Sequence, residues 1–154
     1  MTTVAYRDGV LAFDEQITWG GTKWAKAIKA RQIGDMIVAC SGCSSICHSY
    51  LEWVSQNPSK VLDLAPVQDW KQGAERDFDA LIITRDSIYS HDGTGRPYPV
   101  DAPFLAIGSG MQFALGAMAM GADAVQAVQA AATLDSSTGG AVRTLQMEAA
   151  CPSK

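Results

Sequence analysis

The chain has 154 residues, of which 47% are hydrophobic and 18% charged, a composition that predicts a folded domain with a sizeable core and excludes a disordered chain. Its 12 basic and 16 acidic side chains give a formal charge of -4, so we expect no basic surface for nucleic acid or for anionic membranes. No apolar run reaches the roughly 18 to 20 residues of a membrane span, and residues 1–4 lack a signal-peptide pattern. We expect one domain over residues 1–154, in the cytoplasm.

Two hairpins are predicted near the start of the chain. Residues 2–13 are rich in β-forming side chains and are interrupted by Asp8-Gly9, a dipeptide typical of a two-residue hairpin turn. A second hairpin is predicted from residues 27–33 and 36–41, with its turn at Gly34-Asp35.

A helix is predicted after the second hairpin. Between Cys43 and Val54, apolar side chains recur at steps of three and four residues, which indicates a helix with one buried face. From Pro58 to Asp77 the pattern is weak, and it supports at most a short helix around Trp70.

The next segment is predicted to be β-structure. Residues 78–84 are apolar and β-branched, and a turn leads from them into a strand over residues 87–90. A loop with several glycines and prolines, residues 92–99, precedes a short strand over residues 104–107.

Two helices and a last strand close the chain. Small side chains predict a helix over residues 111–120, and Asp123 with Gln126 forms a capping-box pattern before a helix over residues 124–134. Residues 141–147 are predicted to be a strand. This order favours an α+β fold in which two sheets pack face to face, with helices on their outer sides.

Histidine and cysteine give few candidate sites. The two histidines, His48 in the first helix and His91 in a polar turn, do not adjoin a nucleophile motif, and we expect His48 to be a packing residue. The spacing of Cys40, Cys43 and Cys47 beside His48 is compatible with metal binding. However, cysteine is commonly a buried small hydrophobe and no second ligand pair follows, so we expect packing and no metal.

Thr2 is a different candidate nucleophile. Removal of Met1, expected before a small residue, leaves a hydroxyl and a free α-amine on one residue. The amine has an ordinary pKa of about 7.7 to 8.0, so near neutral pH it can act as the general base for that hydroxyl.

Five blocks of sequence together resemble the proteasome β-type peptidases, especially their bacterial HslV branch. They begin at the chain's start and occur in the family's order: Thr2-Thr3-Val4-Ala5, residues 9–14 with Thr18, Val38-Ala39-Cys40-Ser41-Gly42, Ala106-Ile107-Gly108-Ser109-Gly110 and residues 135–140. The resemblance covers nearly the whole chain and implies an N-terminal-nucleophile hydrolase with a four-layer αββα sandwich.

The resemblance also implies a catalytic core. Thr2 would be the nucleophile, and Asp14 would pair with a lysine whose charge keeps the amine neutral and basic. Lys29 matches that lysine best, with Lys26 as the alternative. Gly42 would donate its backbone N–H to the oxyanion.

Further residues carry implied supporting roles. Ser109, Asp135 and Thr138 would hydrogen-bond the amine and relay protons, with Thr138 at a position where serine is common. Cys40 would line the first specificity pocket, and Thr22 would contact substrate.

The implied activity is that of a threonine endopeptidase that cleaves unfolded polypeptide without a cofactor. Its partners would be further copies in a closed ring, with contacts through the helices at residues 43–54 and 111–120, and a separate ATP-dependent unfoldase. Two alternatives remain open: a non-catalytic assembly protein of the same fold, and an N-terminal-nucleophile amidase acting on a small substrate.

Overall fold

The computed structural model describes residues 2–63, 65–70 and 77–147, which form an α+β fold. The strands are β1 (Thr3–Arg7), β2 (Val10–Asp14), β3 (Gln16–Trp19), β4 (Thr22–Lys26), β5 (Ala30–Ile33), β6 (Met36–Gly42), β7 (Phe78–Ile83), β8 (Ile88–His91), β9 (Tyr98–Val100), β10 (Phe104–Gly108) and β11 (Val142–Gln146). The helices are α1 (Ser44–Gln56), α2 (Val67–Trp70), α3 (Met111–Ala119) and α4 (Ala124–Leu134), with a 3₁₀ turn at Pro58–Lys60.

The first sheet contains the predicted N-terminal hairpin. Asp8 and Gly9 have positive φ angles of 51° and 80°, as a two-residue hairpin turn requires, and they join β1 to β2. The four strands lie in the order β10-β1-β2-β11, and each neighbouring pair is antiparallel. This order brings the start of β1 beside the end of β10, because Thr3 is opposite Gly108.

The second sheet has five antiparallel strands in the order β5-β6-β7-β8-β9. The predicted turn at Gly34-Asp35 joins β5 to β6. The expectation of a loop over residues 92–99 is wrong at its end, because β9 pairs with β8. Its central residue, Pro99, lacks an N–H group, and this edge strand tolerates it because only one side of β9 is paired.

One hairpin was not predicted. β3 and β4 form a separate two-stranded sheet that turns at Gly20 and Gly21, both with positive φ. Every residue of β4 is exposed, so this hairpin has none of the apolar alternation by which a half-buried strand is recognised. The predicted strand over residues 27–33 is accordingly shorter, since β5 begins at Ala30.

Hydrophobic side chains form three clusters that hold the elements together. One lies between α1 and the five-stranded sheet and includes Tyr50 and Val38. The second joins the two large sheets, with Leu11 and Phe13 from one and Leu81 from the other. The third packs α3 and α4 on the four-stranded sheet. Neighbouring residues of β6 therefore belong to different clusters, as expected for a strand covered on both faces.

The predicted capping box is present at α4. The Asp123 carboxylate accepts from the Gln126 N–H at 2.8 Å, and the Gln126 side chain accepts from the Asp123 N–H at 3.0 Å.

No helix in the described residues is long and apolar enough to span a membrane.

His91 does not lie in a polar turn, as expected, but ends β8. It is 1% exposed and packs against the rings of Tyr50 and Phe78. A single polar residue near glycine and proline gives no sequence signal of burial, because burial here comes from α1 and β7, which are distant in the chain.

The two predicted contact helices differ in exposure. α1 turns its large apolar side chains inward, including Ile46 and Leu51. Near α3, by contrast, Met111, Phe113 and Met120 are exposed. Only the second of these surfaces thus offers large exposed apolar side chains for contact.

Candidate active site

Thr2 immediately precedes β1 and is 5% exposed. Its carbonyl approaches Gly108, where φ is +101° and an added Cβ would overlap the Thr2 carbonyl. Only glycine fits both the backbone conformation and the close approach. This explains why glycine follows the Ala106-Ile107 motif: it fixes the position of Thr2 against β10.

Asp14, at the end of β2, is fully buried and accepts three hydrogen bonds. Its Oδ1 accepts from the Thr3 N–H and the Lys29 ammonium, both at 2.9 Å, and its Oδ2 accepts from the Gly139 N–H at 3.0 Å. Asp14 therefore connects β1, the segment before β5 and the segment after α4, and it provides the negative charge that a buried lysine requires.

Lys29 is 6% exposed, and its ammonium also donates to the Gln16 carbonyl at 2.6 Å. Burial lowers the pKa of Lys29, while the Asp14 carboxylate opposes that shift. The backbone sets its position, because the Lys29 carbonyl accepts from the Cys40 N–H at 2.9 Å.

Of the two lysines that the sequence left open, only Lys29 contacts Asp14. Lys26 is largely exposed and pairs instead with Glu15 at 3.1 Å. Arg143 pairs with the same Glu15 carboxylate at 3.0 Å. The bonds from Arg143, Lys26 and the Ala141 N–H lower the pKa of Glu15 to about 2.

A second polar group joins Ser109, Asp135 and Thr138. The Ser109 and Thr138 hydroxyls both donate to Asp135 Oδ2 at 2.6 Å. Burial alone would raise the pKa of Asp135, but these bonds and the Ser137 N–H together lower it below its ordinary value.

Thr3 connects this group to the start of β1. Its hydroxyl lies 2.6 Å from that of Thr138, whose single proton is directed to Asp135, so the Thr3 hydroxyl is the donor. Gly110 permits this contact, because a Cβ there would approach both threonine hydroxyls. Sequence reasoning assigned Thr3 no role, although it belongs to the first matching block.

A cavity of about 280 Å³ opens beside Thr2. Its lining residues come from β3, the segment before β5, β5, β6 and α1, and they are Thr2, Gln16, Ile17, Ala27, Ile28, Lys29, Arg31, Cys40, Gly42, Ser44, Cys47, His48 and Leu51. Gly42 ends β6 with a φ of +111°, and a Cβ there would overlap the Asp77 carbonyl. Thr2, Lys29, Gly42 and Cys40 are thus brought together.

Cys40 and Cys47 lie on the wall of this cavity. Burial raises the pKa of the Cys40 thiol well above its usual value, and Cys47 hydrogen-bonds it and adds to the rise. Both thiols are free, and the described residues contain no group of three or more His, Cys, Asp and Glu side chains that could hold a metal ion. The expectation that His48 is a packing residue is wrong, because it is exposed at the cavity.

Thr22 lies away from the residues brought together. It is exposed beside the Gly20-Gly21 turn and does not line the cavity beside Thr2. The residues that the sequence missed are mainly those of the wall: Gln16, Ile28, Arg31, Cys47 and Leu51. They come from β3, the segment before β5, β5 and α1 and share no motif, so no local signal could have brought them together.

The fold and the site together define an α+β protein in which a threonine lines the same cavity as a buried lysine, and this lysine pairs with a buried aspartate. No family model matches the sequence, and a search of curated proteins gives no match.

Solved structures do match. Thiobacillus denitrificans BPH in complex with epoxomicin has 20% identity and a TM-score of 0.63, with 96% of this chain and 99% of that chain covered. A further structure of Thiobacillus denitrificans BPH has 21% identity and a TM-score of 0.63, covering 96% and 98%. Eukaryotic HslV from Trypanosoma brucei has 19% identity and a TM-score of 0.64, covering 94% and 98%. The chain has the fold of HslV-like proteasome-type peptidases, and the resemblance seen in its motifs is confirmed at the level of the fold.

Proposed function

We propose that this protein is a threonine endopeptidase whose nucleophile is the Thr2 hydroxyl, exposed together with its α-amine by removal of Met1. The observation that carries the proposal is the position of Thr2 at a cavity that also includes Lys29 and Gly42, with Asp14 bound to Lys29. The likeness to HslV and BPH structures supports the fold on which this chemistry would occur.

In the proposed reaction, the Thr2 amine takes the proton of its own hydroxyl while Oγ forms a bond to the substrate carbonyl carbon. The carbonyl electrons move onto oxygen, and the Gly42 N–H donates a hydrogen bond to that oxyanion. Collapse of the intermediate breaks the C–N bond, and the proton passes to the leaving amine. Water then hydrolyses the acyl ester and restores Thr2.

The two polar groups have different roles in this reaction. The Lys29 charge, oriented by Asp14, keeps the neighbouring amine unprotonated and stabilises the developing alkoxide. Ser109, Asp135 and Thr138 orient the amine and relay its proton.

We further propose that the three hydrophobic clusters are the interfaces of a four-layer αββα sandwich and that residues 1–154 form a single domain. Cys40 lines the first specificity pocket. Thr22 contacts substrate beyond it, from the exposed end of the β3–β4 hairpin.

The proposed substrate is unfolded polypeptide in the cytoplasm. A nucleophile in a cavity that folded proteins can reach would be unselective, so selectivity requires a closed ring of subunits that encloses Thr2. A separate ATP-dependent unfoldase would deliver the substrate to this ring. The exposed Met111, Phe113 and Met120 near α3 support a subunit contact there.

The test is degradation of an unfolded protein such as reduced casein, using enzyme shown by intact mass to lack Met1. We expect activity in the wild type, reduced activity in Thr2→Ser, which keeps a hydroxyl, and none in Thr2→Ala. Full activity of Thr2→Ala would contradict the mechanism. A wild-type protein that is folded and lacks Met1 but is inactive would favour a non-catalytic assembly protein.

Light scattering on the same samples tests the ring. We expect an oligomer of many subunits. A strict monomer that cleaves casein would contradict the proposed compartment, and cleavage of small amides alone would favour the amidase.

A further inference from the structure

We propose that Glu52 determines specificity in the cavity beside Thr2, by holding the Arg31 guanidinium outside the space that a substrate side chain occupies. This inference rests on the proposed peptidase function. It assigns to Glu52 a preference for uncharged side chains at the residue preceding the cleaved bond.

The two most buried residues of the cavity wall are apolar. Cys40 is 1% exposed and Leu51 is 2% exposed, and Ala27, Ile28 and Cys47 add further apolar surface. A wall of this composition favours a side chain that needs no hydrogen-bond partner.

Besides His48, the basic residues of the wall are Lys29 and Arg31, and each of these two is bound to a carboxylate. Lys29 pairs with Asp14 at 2.9 Å. Arg31 pairs with Glu52 at 2.7 Å and donates to the Ser55 hydroxyl at 3.3 Å. Both partners of the guanidinium lie on α1: Glu52 directly follows the wall residue Leu51, and Ser55 lies one helical turn after Leu51. These two contacts hold the guanidinium against α1.

The two ion pairs differ in how easily they can be exchanged. The Lys29 and Asp14 side chains are 7% and 1% exposed, whereas those of Arg31 and Glu52 are 32% and 44% exposed. A partly exposed pair contributes little to stability and can be broken without unfolding the protein. Arg31 has a long flexible stem, so its guanidinium can turn toward the cavity once Glu52 is neutral.

The test compares two fluorogenic peptides that differ only in glutamate or glutamine before the scissile bond. Because these side chains have nearly the same shape, the ratio of their kcat/KM values isolates the charge. Wild type is expected to prefer glutamine. Glu52→Gln should shift the Glu/Gln ratio toward glutamate by about two- to fivefold, and Glu52→Asp should keep most of the wild-type ratio.

Asp35→Asn is the matched control. It removes the same charge from another exposed pair, with Arg85 at 4.0 Å, and neither residue lines the cavity. It should leave the Glu/Gln ratio unchanged. Thermal unfolding of each variant verifies that the ratio is measured on folded protein.

A binding measurement separates this inference from the proposed function. The two peptides are titrated calorimetrically into Thr2→Ala and into Thr2→Ala with Glu52→Gln, where no cleavage is needed. Absence of cleavage by wild type would overturn the peptidase function. An unchanged Glu/Gln affinity ratio, or failure of both peptides to bind, would overturn the role of Glu52.

Discussion

Replacing Asp14 by asparagine tests the buried pair that Asp14 forms with Lys29. An asparagine side chain has the same shape but one acceptor oxygen and one NH₂ group. If its oxygen takes the place of Oδ1, its NH₂ faces the Gly139 N–H, which in the wild type donates to Asp14 Oδ2 at 3.0 Å. If it is reversed, the NH₂ faces both the Thr3 N–H and the Lys29 ammonium. Each arrangement leaves a donor unsatisfied.

The larger cost comes from Lys29, whose buried charge loses its counter-ion. Removing one partner of a buried pair typically costs about 3 to 5 kcal/mol. For a domain of this size each kcal/mol lowers Tm by roughly 2 to 4 °C. We therefore expect the Tm of Asp14→Asn to fall by about 10 °C, with loss of peptidase activity.

A double-mutant cycle identifies the pair as the cause. Asp14→Asn leaves the Lys29 charge without a counter-ion, and Lys29→Met removes that charge. The loss of unfolding free energy in the double variant should therefore be clearly smaller than the sum of the losses in the two single variants. Urea unfolding of the four proteins supplies the free energies. Additive effects, or an Asp14→Asn protein as stable as wild type, would refute the account of the pair.

Three further predictions follow from the described geometry. Gly108→Ala should destabilise the protein by more than about 1 kcal/mol in urea unfolding, whereas Gly116→Ala, in open space within α3, should stabilise it by about 0.5 to 1 kcal/mol; the opposite order would contradict the contact at Thr2. The Glu15 pKa is about 2 in the folded protein and 4.5 in the unfolded chain, so its contribution to stability is complete above pH 4.5 and is lost as the pH falls toward 2. Glu15→Gln should therefore weaken the pH dependence of the unfolding free energy between pH 4.5 and pH 2. An unchanged pH dependence would contradict this role of Glu15. With iodoacetamide at pH 8, mass spectrometry should find Cys40 unmodified in folded protein while Cys47 reacts, because burial raises the pKa of Cys40; rapid labelling of Cys40 would show that its burial is wrong.

The sequence predicted those elements whose patterns are local. The Asp8-Gly9 turn, the α1 stripe and the capping box at Asp123 each depend on residues within a few positions of one another, and all three are present. The β3–β4 hairpin was missed because an exposed strand has no apolar alternation. The burial of His91 was missed because it depends on distant elements.

For the candidate site, the family resemblance gave the residues and the pairing of Asp14 with a lysine, but not which lysine forms the pair. It left Lys26 and Lys29 open, and the structure separates them because only Lys29 reaches Asp14. It did not predict the ion pair between Arg31 on β5 and Glu52 on α1. Such contacts arise from packing between elements and carry no short-range sequence signal.

The most direct test of the central claim is intact-mass spectrometry after incubation with an epoxyketone peptide. This class of compound offers two electrophilic carbons, and an N-terminal threonine offers an amine and a hydroxyl that can both attack them. With protein shown by mass to lack Met1, we predict one adduct per chain, mapped to Thr2, and no adduct on Thr2→Ala. An equal adduct on Thr2→Ala, or none on the processed wild type, would contradict Thr2 as the nucleophile.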